Sequence, residues 1–382
     1  MLRVRPRADR PGPGPQARHG PDHLARADSR PAGIGTGVTG TDTGSTAGPA
    51  RAVDGTGATA PVTVSAPGLT PEGFSRHTLH GDESVWSNTN CYLDVWIELL
   101  HGLGRRPEPL FAAAVAADTQ VEQFEFLKTD HRDLEEVHGI RVGEYDVWTT
   151  LVDHVRTQMQ AGNLMIVEAD AHWLPDTRGV SYGLEHTKTS IVPLHLDVTA
   201  QHLVYLHNEG LHELRGEDFD FVLGERRSEG IVPAPYVELV RLDRLVPADD
   251  SRAREDTMRL LAHHAGRAPD HNPALALMDV LRSRFDWLQG AGMDGYHALC
   301  FETTRQLGVV ALLAAAAVRF SQVPELQSAA DSWETVSREA KALQFQLARV
   351  ARGRTSKSLE STMTTITDQW DDAAATLRRW AG

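Results

Sequence analysis

Three stretches constrain this chain more than any others. LMIVEADAHWL (164–174) reads as a strong strand that enters a turn at Pro175–Asp176. HTKTSIVPLHLD (186–197) alternates as a strand does and breaks at Asp197, and HLVYLHN (202–208) follows after a short gap. β-Branched and aliphatic runs bounded by turn residues are strand signals, and a short gap between two of them predicts a hairpin. Upstream, Asn90–Gly102 reads as a helix, because Leu93, Trp96, Ile97 and Leu100 recur at helical spacing.

The same reading places short helices at Pro109–Ala117 and Asp130–His138, a strand at Phe124–Leu127 and a longer helix over Trp148–Ala161. A helix start is expected at Asp218–Phe221 and a last strand in PYVELVRL. Beyond about residue 250 the turn signals thin out. Pro273–Leu288, Tyr296–Ala317, Val323–Arg352 and Ser358–Trp380 then read as four helices of an appended bundle. The expected organisation is a disordered tail over 1–72, a mixed α/β (α+β) domain over 73–248 and a helical bundle over 249–382.

Residues 1–72 hold no aromatic residue and are rich in Gly, Pro, Ala, Thr and Arg, too little apolar surface to offset the entropy of ordering. The formal charge is −14, and residues 1–70 carry eight Arg against five Asp, so the rest is more acidic than the whole. Such a body disfavours nucleic acid. Two cysteines far apart do not make a disulfide framework, which points to a reducing cytoplasm. The longest apolar run, 307–318, is too short for a bilayer span, and no signal-peptide pattern opens the chain, so no membrane partner is expected.

Cys91 sits where the first helix begins. A helix N-terminus favours an anion, the thiolate is the reactive form of cysteine, and backbone N–H groups there form half of an oxyanion hole. Such a nucleophile needs a base, usually on a later strand and oriented by Asp or Asn. His186 opens the strand after the Pro175 turn, Asn208 ends the next strand, and Asp197 lies at the hairpin between them. Asn88 and Asn90 are placed to donate to an oxyanion. Trp173 is a candidate wall for an acyl pocket. Lys188 alternates onto the face of His186, to meet a phosphate or to pair with Glu168 or Asp170. Cys300, among Leu299, Phe301 and Ala298, reads as inert core.

NCYLDVWIELLHGLG, VEADAHWLPDT, EHTKTSIVPLHLD and YLHNEG together resemble the bacterial family labelled domain of unknown function 1839, over roughly residues 80–350. Its members tend to be encoded beside carrier proteins and the ligases that load amino acids onto them. The outline also looks, more distantly, like the butirosin-type acyltransferases, papain-like enzymes that move an aminoacyl group from a carrier-protein thioester to an amine. The resemblance implies a papain-like domain with Cys91 as nucleophile, His186 as base and Asn208 or Asp197 as orienting group. That pattern typically has Asp on the following strand, where this chain has His207–Asn208. The implied partners are an acyl or aminoacyl carrier protein and a small-molecule amine. No resident cofactor or metal is implied, the phosphopantetheine belonging to the donor.

Three other readings stand beside this one. A hydrolase of the same fold would pass the acyl group to water. A non-catalytic scaffold would dock a carrier protein through the bundle, whose helices end in Arg352 with Arg354 and Arg378 with Arg379. HLD at 195–197, with His263, matches a two-His-one-carboxylate iron site.

Overall fold

The computed structural model describes residues 60–64, 66–229, 236–354 and 356–382. An antiparallel sheet forms its first half. The strands are β1 (Val62–Thr63), β4 (Arg141–Glu144), β5 (Leu164–Asp170), β6 (Lys188–Asp197), β7 (His202–His207), β8 (Gly210–Arg215) and β9 (Val237–Arg241). They run in the order β4-β9-β5-β6-β7-β8, and β1 pairs with the far end of β6, Val62 opposite Leu196. A separate ribbon joins β2 (Thr119–Gln120) to β3 (Gln123–Phe124). The helices of this half are α1 (Cys91–Gly102), α2 (His131–His138), α3 (Leu151–Gln160) and α4 (Glu217–Val222). At the end of α2, Gly139 has a φ of 69°, and a Cβ there would stand 2.0 Å from the Arg244 carbonyl oxygen, so only glycine fits.

The second half holds α5 (Asp250–Ala265), α6 (Pro273–Ser283), α7 (Phe285–Gly295), α8 (Glu302–Ser321), α9 (Gln327–Ala351) and α10 (Leu359–Ala381), with a π-helical turn over Tyr296–Phe301. The stretch Phe285–Ser321 is, by length and composition, long and apolar enough to cross a membrane. Here it is core: Leu307, Val309, Val310, Leu313 and Val318 are fully buried among the other helices.

Several expectations need correction. Val62 and Thr63 are sheet residues rather than tail; the Val64 N–H also donates to the Leu194 carbonyl. Most of the expected tail, residues 1–59, lies outside the described residues. Glu108–Ala116 winds as a 3-10 helix, and the helix expected at Pro273–Leu288 divides into α6 and α7. β4, β8 and α5 were not expected. β4 and β8 are edge strands with exposed polar residues, and α5 is polar along most of its length.

The period of two sorts the sheet's faces. Leu164, Ile166, Val192, Leu194, Leu206 and Val240 meet Tyr92, Val95, Trp96, Leu99 and Leu100 of α1. Met165, Val167, Ala169, Ile191, Leu203 and Tyr205 meet α3 and α4 on the other side. The opposite side of α1, Leu93 and Ile97, joins a core built from the 3-10 helix and the C-terminal helices. α1 is therefore wedged between sheet and bundle, and the bundle shares its core rather than hanging beside the sheet.

Candidate active site

The first residue of α1 is Cys91, and the cap before it is Asn90. Its Oδ1 accepts from the N–H groups of Tyr92 (3.2 Å) and Leu93 (2.9 Å), while its Nδ2 donates to the Leu127 carbonyl at 3.0 Å. Asn90 is thus spent as an N-cap. The Cys91 N–H has no hydrogen-bond partner among the described residues. Asn88 Nδ2 donates to Glu209 in the two-residue turn between β7 and β8. Tyr92 donates through its hydroxyl to Glu238 at 2.7 Å. These two contacts fix which end of the sheet the start of α1 overlies. It is the end where β5 finishes, β6 begins and β7 turns into β8.

His186 lies at that same end. Its Nδ1 is 2.7 Å from Asp170 Oδ2 at the end of β5. The other carboxylate oxygen accepts from the N–H groups of His172 (3.1 Å) and Thr187 (3.3 Å), so Asp170 is held by its own turn. The Asp170 side chain is 5% exposed and that of His186 43%. The His172 ring stacks on His186 at 4.1 Å. Burial, with His186 next to it, holds His172 below its ordinary pKa. Within strand alternation Glu168, Asp170 and Lys188 continue the α1-facing rows, and Lys188 Nζ is 2.7 Å from Glu168.

The other expected residues lie elsewhere. Asp197 is at the opposite end of β6, about 30 Å away at the rise of a strand; its Oδ1 accepts from the Ala200 N–H. Asn208 takes a left-handed φ of 48° in the β7–β8 turn, a conformation asparagine tolerates. The carboxylate bonded to His186 is Asp170, in place of either expected partner. Trp173 stacks on Phe221 at 3.5 Å and belongs to the core on the face away from α1, so it lines no pocket over Cys91. Cys300 is fully buried, and burial pushes its thiol up to about 12. His195 contacts Thr63 Oγ1 at 2.6 Å, and no cluster of three or more His, Cys, Asp or Glu suited to a metal occurs among the described residues.

Sequence reasoning missed two further features. His80 is buried between Asp94 and Glu98, one turn apart on α1: Nδ1 is 2.5 Å from Glu98 Oε1 and Nε2 3.0 Å from Asp94 Oδ1. Asp94 also accepts from the N–H (2.8 Å) and hydroxyl (2.6 Å) of Thr89. The i, i+4 acidic pair inside an apolar helix was the available signal. On the reverse face of the sheet, His207 bridges Thr189 Oγ1 (2.8 Å) and Asp176 Oδ2 (2.6 Å). His207 and Thr189 are fully buried and the Asp176 side chain is 8% exposed, so this triad-like chain ties the 175–177 turn to the sheet. A cavity of about 660 Å³ between α2 and α5 is lined by Asp130, Arg132, Arg259, His263 and Arg267. Two of its arginines are paired, Arg259 with Glu136 and Arg267 with Asp130.

A helix and an antiparallel sheet that bring a cysteine and a His–Asp pair to one end define a mixed α+β chain with a candidate nucleophilic site. The family comparison agrees with the sequence motifs: models of the N-terminal and C-terminal domains of the domain-of-unknown-function 1839 family match residues 75–242 and 250–379. The chain belongs to that family. A comparison with curated proteins found none that matches.

Proposed function

We propose that this chain is a cysteine-dependent acyl- or aminoacyltransferase of papain-like architecture, working in the cytoplasm. Its donor is a thioester on the phosphopantetheine arm of a carrier protein, and its acceptor is a small amine. The observation that supports the reading is that the His186–Asp170 pair lies at the end of the sheet that the start of α1 overlies.

The chemistry follows from the residues. Asp170 on Nδ1 favours the tautomer that leaves Nε2 of His186 as the proton acceptor. His186 takes the thiol proton, and Cys91 Sγ attacks the thioester carbonyl. The Cys91 N–H and the helix start favour the negative charge that develops on oxygen. The carbonyl re-forms, the pantetheine sulfur leaves with the proton from His186, and an S-acyl cysteine remains. The amine then attacks this new thioester, His186 removes its proton, and Cys91 leaves as thiol. Exchange between thioesters is nearly neutral, so the enzyme's contribution is to position the acceptor and exclude water.

Intact-protein mass after mixing with aminoacyl-pantetheine thioesters, free and carrier-loaded, tests this. The acyl mass should appear on the wild type and on Cys300→Ala and vanish in Cys91→Ala. Asp170→Asn should slow its appearance by up to about 10⁴-fold, the cost of a mis-set histidine tautomer. An adduct that survives in Cys91→Ala, or none from any donor, refutes the reading. Adducts that decay equally fast with and without amine identify a hydrolase instead.

A further inference from the structure

The segment that delivers Cys91 to the helix start is held from the second half of the chain. Arg305 on α8 donates from Nε to the Thr89 carbonyl and from Nη2 to the Asn88 carbonyl, both at 3.0 Å. These are the two carbonyls that precede the N-cap. A fork that binds two successive carbonyls fixes the path of the chain as a single donor does not. Trp86 is pinned too: its Nε1 donates to Ser337 Oγ at 3.0 Å, and Lys341 Nζ stands 4.2 Å above its ring.

The π-helical turn Tyr296–Phe301 ends one turn before Arg305. Such a turn carries an extra residue, which rotates the face beyond it by about 100° relative to an unbroken helix. Gln344 Nε2 on α9 donates to the Phe301 carbonyl at 3.0 Å, so the turn is supported where the regular ladder is interrupted. Turn and fork together aim a cation at the chain two residues before Cys91.

We infer that Arg305 is a positioning residue for Cys91. It sets the backbone path into α1 and keeps a positive charge near the helix start, where an anion forms on the thiol. The inference deepens the reading of Cys91 as nucleophile and rests on it for its purpose, but its test needs no substrate. The rate of Cys91 alkylation by iodoacetamide is followed by intact mass in full-length Cys300→Ala protein, alone and with Arg305→Met or Arg305→Lys, beside melting curves. Arg305→Met should alkylate at least fivefold more slowly at pH 7.5. Arg305→Lys, which keeps the charge and loses the fork, should fall between the two with an unchanged melt. If Arg305→Met does not fold, the lysine variant decides: a rate below the parent supports the inference. A parental rate in either folded variant overturns it, as does slowing that follows a lowered melt with no recovery by lysine. Failure of acyl capture by the wild type counts against the proposed function alone.

Discussion

Both ring nitrogens of His80 face a carboxylate, so the ring must carry two protons to satisfy Asp94 and Glu98 together. All three side chains are wholly shielded from solvent. Burial alone would lower the pKa, but the hydrogen bonds and charges of Asp94 and Glu98 outweigh it and raise His80 to about 9. The rise from 6.5, at about 1.4 kcal/mol per unit, corresponds to roughly 3 kcal/mol of folding free energy. Below pH 6.5 both folded and unfolded chains hold the proton, and the contribution is complete. Between 6.5 and about 9 only the folded chain holds it, so stability falls by about 1.4 kcal/mol per pH unit. Above that the contribution is gone. Urea unfolding followed by tryptophan fluorescence from pH 6 to 9.5, on wild type and His80→Gln, measures this. The variant should be weaker by about 3–5 kcal/mol at pH 6.5, the cost of leaving buried carboxylates without their cation. The difference between the two curves should shrink by roughly 3 kcal/mol across the range. A difference that stays constant with pH refutes the account.

Two further perturbations test the frame around the site. Asn90→Ala removes an N-cap and leaves the Leu127 carbonyl without its donor, so urea unfolding should show a loss of about 2 kcal/mol, against less than 0.5 if the cap is idle. Gly308→Ala would bring a Cβ within 2.4 Å of the pinned Trp86 ring. The crowding, about 1–3 kcal/mol, exceeds the roughly 1 kcal/mol that alanine gains in a helix, so the melting temperature should fall; a rise contradicts the packing.

Much of the fold was legible because its signals are local. β5, β6 and β7 are runs of β-branched and aliphatic residues, and α1 carries its spacing openly. Cys91 and His186 could be singled out because a helix start and a strand start are also local. The acid on His186 could not, because it depends on register. β7 pairs with β6 only from Ile191 onward, leaving His186 five residues beyond its reach, while β5 pairs with the first residues of β6 and ends beside them. The usual expectation of a partner on the following strand fails on that geometry. Arg305 was hidden for a related reason: it joins polar groups more than two hundred residues apart, where no periodicity announces the contact, while His80 left only the spacing of Asp94 and Glu98 as a trace. The edge strands lacked the apolar alternation by which strands are recognised.

The double packing of α1 bears on the order in which the protein can fold as it leaves the ribosome. The sheet is complete once β9 has emerged, and the row of α1 that meets it can dock then. Leu93 and Ile97, on the other side, belong to a core that the 3-10 helix begins but that stays incomplete until α8 and α9 have been made, more than two hundred residues after α1 itself. Contacts that distant in sequence form late. The helix that starts with the cysteine is therefore among the last parts to settle, and a nascent chain halted near residue 250 would have strands in place around a helix start not yet fixed.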